Sequence, residues 1–124
     1  MNAKVIKELE KNPNYLKSAY AFLKTLPEDL QLELKLDLSK NESTPIDILE
    51  ALIKDESQEV KLNVLKLKAT SEKLVLTALK DEDDLIRLTT LKEEFIPEDS
   101  LIALFQDKSP DVVQLARKTL KSRL

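Results

Sequence analysis

The sequence predicts an all-α solenoid of about four helix-turn-helix repeats with a period of 26 residues, preceded by an N-terminal capping helix. Three observations carry this expectation. First, a phrase recurs. Asp55-Glu56-Ser57-Gln58-Glu59-Val60-Lys61-Leu62 returns at 81–88 and again at 107–114, and one step back from it gives 29–36. Asp29, Asp55, Asp81 and Asp107 share one register, each followed five residues on by Leu34, Val60, Ile86 or Val112. In three of the four the next residue is basic: Lys35, Lys61 and Arg87. A fixed period of about 20–50 residues marks a repeat architecture. Second, the chain has no glycine. Tight hairpin turns need residues that tolerate positive φ, so a β-rich fold is disfavoured. Third, Leu, Lys and Glu dominate, which is the composition of helical proteins.

Each element follows from local signals. Residues 2–11 read as a short helix with an apolar stripe of Val5, Ile6 and Leu9, broken by Asn12-Pro13-Asn14. It lies outside the repeat and is expected to cap the open end of the stack. Asn14 is the expected cap of a helix reaching about Leu26, and Pro27 with Glu28 and Asp29 starts the next. The stretch 30–38 alternates strictly between Leu and polar residues, a strand pattern taken by itself. The repeat overrules it, because 33–38 lies opposite 59–64 at the 26-residue offset, so a helix to about Lys40 is expected. Thr44 as cap and Pro45 at the first helical position open a helix over 45–54, followed by a turn and a partner helix over 58–67. The third unit gives helices over 71–80 and 84–93. The fourth gives 97–106 and 110–121, the last opened by Ser109-Pro110-Asp111. The expected organisation is one domain, 1–124, with a capping helix over 1–13 and repeats over 14–41, 42–68, 69–94 and 95–124.

The phrase of Asp, four residues, Val or Ile, then Arg or Lys resembles the core of HEAT repeats. It stands as Asp55 with Val60-Lys61, as Asp81 with Ile86-Arg87, and as Asp29 with Leu34-Lys35. The short period and the loop Lys40-Asn41-Glu42-Ser43-Thr44-Pro45 look more like the leucine-rich repeat variant. The resemblance covers roughly residues 16–122. It implies a right-handed superhelix whose second helices line a concave binding face. It also implies that the Asp row (Asp29, Asp55, Asp81, Asp107) and the basic row (Lys35, Lys61, Arg87) form a ladder between adjacent repeats. The iron–sulfur association of the variant family depends on an added Cys cluster, which this chain does not have. The residues themselves give each Asp a structural task, either capping the second helix or holding the turn.

Composition narrows the chemistry. There is no Cys and no His, which removes disulfides, thiolate nucleophiles, the usual zinc sites and imidazole acid–base catalysis. Without Gly there is no phosphate loop or dinucleotide fingerprint. Adjacent carboxylates at Asp83-Asp84 and Glu93-Glu94 fall in turns or at a helix end and are expected to be solvated. No enzyme, cofactor or metal is expected. The net charge of −3, with both signs interspersed, is that of an ordinary soluble surface rather than a dedicated DNA binder. Charges interrupt every apolar run, and Met1 to Glu8 has no signal-peptide core, so a cytoplasmic protein without a membrane partner is expected.

Dissecting the second helices at about 100° per residue leaves a narrow polar strip. In the second repeat it comprises Glu59, Asn63 and Lys66; its equivalents are Glu33, Asp37 and Lys40, then Leu85, Thr89 and Lys92, then Asp111, Leu115 and Lys118. Lys40, Lys66, Lys92 and Lys118 are lysine at one register. They form a candidate docking row for an acidic partner, although lysine near a helix C-terminus also complements the macrodipole. Tyr20 and Phe105 fall on core stripes. Tyr15 and Phe22 are expected to pack as well, with an exposed contact anchor as the alternative.

The leading expectation is a non-enzymatic scaffold that binds a protein partner, of unspecified identity, on the concave strip. A nucleic-acid-binding reading, which includes the HEAT-like DNA glycosylases, ranks below it because the strip mixes acids with lysines. A third reading is weak self-association through the last repeat, where Val112, Val113, Leu115, Leu120 and Leu124 have no following helix to cover them.

Overall fold

The computed structural model describes residues 3–67, 71–93 and 95–124, with side chains from Lys7 onward within them. The described residues form nine α-helices and two single-turn 3-10 segments, with no strand among them. The helices are α1 (Ala3–Glu10), α2 (Pro13–Ala21), α3 (Glu28–Lys40), α4 (Ile46–Leu52), α5 (Gln58–Lys66), α6 (Glu72–Leu79), α7 (Asp84–Glu93), α8 (Glu98–Ala103) and α9 (Pro110–Ser122). The expected stripe at Val5 and Ile6, the link 68–70 and the Glu94 half of the Glu93-Glu94 pair lie outside what is described.

Several ends differ from the sequence expectation for identifiable reasons. Asn12, not Asn14, caps α2. Its Oδ1 accepts the Asn14 and Tyr15 amides at 2.9 and 3.3 Å, because Pro13 at the first helical position has no N–H to offer. Thr44 does not cap α4. Pro45 takes the cap position in an extended conformation, and the Thr44 hydroxyl turns back to donate to the Leu38 carbonyl at 2.7 Å. The helix expected to reach Leu26 stops at Ala21 and tightens into a 3-10 turn over Leu23–Thr25. The same happens over Leu104–Gln106 after α8. A chain without glycine has no low-cost left-handed stop, and no described residue has positive φ.

The alternating stretch 30–38 lies within α3. Leucines two apart fall on opposite sides of a helix, so they cannot all be covered. Leu38 is buried, Leu34 and Leu36 are half-buried, and Leu30 and Leu32 are exposed.

The chain divides into two compact units, Met1–Leu74 and Val75–Leu124. In the first, α3 packs on α5, and α4 packs on both. Leu38, Leu49, Leu52, Ile53, Val60, Val64 and Leu65 are essentially sealed from water. A fully buried side chain of this kind contributes about 2 kcal/mol of transfer free energy. In the second unit α9 packs on α7 and α8, around Leu91, Ile96, Leu101, Val112 and Ala116. Each unit therefore sets two of its helices side by side: α3 with α5, and α7 with α9.

Candidate functional site

Three of the four Asp residues hold turns, and a neighbouring residue does the capping. Asp55 Oδ2 accepts the Ser57 amide at 3.0 Å, Asp81 Oδ1 the Asp83 amide at 2.9 Å, and Asp107 Oδ1 the Ser109 amide at 2.9 Å. Each is an Asx turn placed before a helix start. Two residues on, the cap accepts an amide of the first turn: Ser57 Oγ from Val60, Asp83 Oδ1 from Leu85, and Ser109 Oγ from Val112. Asp29 departs from this plan. Counting 26 back from Gln58 gives position 32, but α3 starts at Glu28, four residues earlier. Asp29 therefore sits exposed in the first turn of α3, where its charge complements the helix dipole.

The basic positions reach across to these turns. Lys35 Nζ on α3 lies 2.7 Å from Asp55 Oδ1, with both side chains mostly shielded. Arg87 on α7 grips Asp107 at two points, Nη2 to Oδ1 at 2.8 Å and Nε to Oδ2 at 2.9 Å. Its Nη1 also donates to the Asp81 and Glu82 carbonyls, at 2.7 and 3.1 Å. Burial pushes the Asp107 carboxyl up. The hydrogen bonds from Arg87 and the Ser109 amide, together with the Arg87 and Lys108 charges, outweigh that and hold it below its ordinary value. Lys61 is half-buried on α5.

Most of the strip is exposed, and two of its middle positions are engaged. Lys40, Lys66, Lys92 and Lys118 are all exposed, as are Glu33, Asp37, Glu59 and Asp111. Asn63 is half-buried and donates from Nδ2 to Ser39 Oγ on the adjacent α3 at 3.1 Å, so it serves helix stacking. Thr89 donates to the Leu85 carbonyl one turn back at 2.7 Å. The angular reading of the sequence does not reveal that neighbouring groups engage these two side chains.

Sequence reasoning missed a groove of about 600 Å³ between α1, α2 and α3. Leu16, Ala19, Leu34 and Leu38 form its apolar lining. Lys7, Glu10, Lys11, Tyr15, Asp37, Lys40 and Asn41 complete it. Asn41 Nδ2 donates to the Glu10 carbonyl at 2.7 Å and so ties the end of α1 to the end of α3. A smaller hollow of about 410 Å³ between α3 and the turn before α5 is lined by Glu28, Gln31, Leu32, Lys35, Asp55, Glu56 and Ser57. Its one lysine is already spent on Asp55.

Two aromatic expectations are corrected. Tyr15 is 41% exposed and Phe22 65%, so neither packs in the core. Tyr15 lines the groove, while Phe22 is the C-cap residue at which α2 ends. Tyr20 and Phe105 are half-buried, the latter beneath the Arg117 guanidinium at 5.6 Å. Phe95 is 77% exposed, with the Arg123 guanidinium 4.3 Å from its ring centre.

Among the described residues no cluster of acids is placed to hold a metal ion, and no helix is long and apolar enough to cross a membrane. In comparisons with known proteins, no family model, no curated protein and no solved structure matches this chain.

Proposed function

We propose that the chain is a non-enzymatic interaction module, a small right-handed solenoid of HEAT-like helix pairs that binds a protein partner along its second helices. The observation that carries this reading is the side-by-side placement of α3 with α5 and of α7 with α9. Each pair presents an exposed lysine from each helix: Lys40 and Lys66 in the first unit, Lys92 and Lys118 in the second. Basic side chains repeated at one register give a partner a regular set of charges to match, which favours register and association rate more than raw affinity. The exposed acids Glu33, Asp37, Glu59 and Asp111 stand on three of the same helices, α3, α5 and α9. A nucleic-acid backbone carries negative charge throughout and would be repelled by these acids, whereas a protein surface can alternate its charges.

The test is alanine at Lys40, Lys66, Lys92 and Lys118 together, with helical circular dichroism to check the fold. Partner capture is read by crosslinking and mass spectrometry against the parent chain. Loss of the same captured protein with the fold intact supports the reading. Unchanged capture removes the lysine row from it, and a low-salt gel shift with retarded nucleic acid would favour the rival.

A further inference from the structure

We propose that the groove between α1, α2 and α3 seats an acidic segment of a partner protein, with an apolar side chain on its floor and carboxylates against its lysines. This rests on the interaction-module reading and gives it a specific seat. The groove has the volume of a small binding cleft and an apolar lining, with Leu16 and Leu38 buried and Leu34 and Ala19 half-covered. Tyr15 stands at its edge, large and rigid enough to anchor a contact at low entropic cost.

The charges define the occupant. Lys7, Lys11 and Lys40 line the groove against Glu10 and Asp37, so it is locally positive on a chain whose net charge is −3. A uniform polyanion would press against both carboxylates. A peptide can place Asp or Glu opposite the lysines and a neutral or basic residue opposite Glu10 and Asp37, which is the complementarity that selects one partner over others. The hydrogen bond from Asn41 to the Glu10 carbonyl fastens the α1 wall beforehand, so less ordering remains for the bound state.

The experiment selects short random phage-displayed peptides on the full chain and measures their binding to wild type, to Lys11→Glu with Lys40→Glu, and to Lys66→Glu with Lys118→Glu. All four lysines are exposed, so the variants should fold, and circular dichroism checks this. The expected peptides carry Asp or Glu around Leu, Phe or Trp. They bind roughly tenfold more weakly to the Lys11/Lys40 variant and unchanged to the Lys66/Lys118 variant. Changing the peptide acids to Lys should restore binding to the Lys11/Lys40 variant. Peptides that bind that variant as well as wild type overturn the groove while leaving the interaction-module reading in place. So do peptides sensitive only to Lys66 and Lys118. Enrichment of basic peptides, or of none, overturns the groove, and the crosslinking test then judges the broader reading separately. Low-salt retardation of a single-stranded oligonucleotide that the Lys11/Lys40 variant abolishes overturns it in favour of a polyanion.

Discussion

Arg87 and Asp107 form a two-point ion pair, with N–O distances of 2.8 and 2.9 Å and side chains only 10% and 9% exposed. The pair joins α7 to the turn before α9, and the same guanidinium also holds the two carbonyls of the turn before its own helix. The equivalent contact in the first unit, Lys35 to Asp55, is a single and more exposed link.

Arg87→Met should therefore destabilise the fold by about 3 kcal/mol, since it strands a shielded carboxylate and two turn carbonyls. Lys35→Met should cost about 1 kcal/mol or less. Arg87→Lys should not rescue, because an ammonium cannot reproduce the planar fork. Urea unfolding of the three variants checks the order, and equal losses for Arg87→Met and Lys35→Met would contradict it.

The pair also sets an acid limit. The Asp107 carboxyl is held below its ordinary value of 3.8, so the folded chain releases that proton more readily than the unfolded chain. Its contribution is complete above that ordinary value and fades as pH falls through the lower folded one. Wild type should lose stability as the pH falls below about 4. Asp107→Asn should start less stable at neutral pH and show a shallower acid limb in thermal melts taken across that window. Parallel acid limbs would show that the carboxylate is not a source of the dependence.

The 26-residue spacing read in the sequence, with the local start and stop signals, made most of the helix positions legible. It identified 30–38 as helix against a strand-like pattern, and it put Val60, Ile86 and Val112 at buried positions. Periodicity reports which residues share an environment, so it served these positions well. It said nothing about which partner each polar group would choose. Thr44 turns back six residues to the Leu38 carbonyl instead of capping α4, and Asn63 is engaged by Ser39 on α3, 24 residues away. The groove was illegible for a related reason. Its lining comes from three helices and includes the half-buried Leu34 and Ala19, and how helices dock is not carried by any motif.

Phe95 and Ile96 are neighbours in the chain with opposite environments. Phe95 is 77% exposed, while Ile96 is wholly buried within the second unit's core. Phe95→Ala should change stability by about 0.5–1 kcal/mol, the loss of its contact with Arg123. Ile96→Ala should cost about 2–5 kcal/mol through lost transfer energy and the cavity left behind. Chemical denaturation of both variants checks the contrast. A larger loss at Phe95 would mean that its ring is covered in solution.

Thr44→Val tests how a chain without glycine closes a helix. The last carbonyls of α3 need partners, and Leu38 is served by the Asn41 amide at 3.3 Å and the Thr44 hydroxyl at 2.7 Å. Thr44 is 5% exposed, so water is poorly placed to replace the hydroxyl. Valine keeps the shape and removes the donor, and the under-served carbonyl should cost about 1–3 kcal/mol. Thr44→Ser, which retains the hydroxyl, should recover most of that loss despite its missing methyl. If Val and Ser are equally destabilised, the methyl packing and not the hydrogen bond is what holds the end of α3.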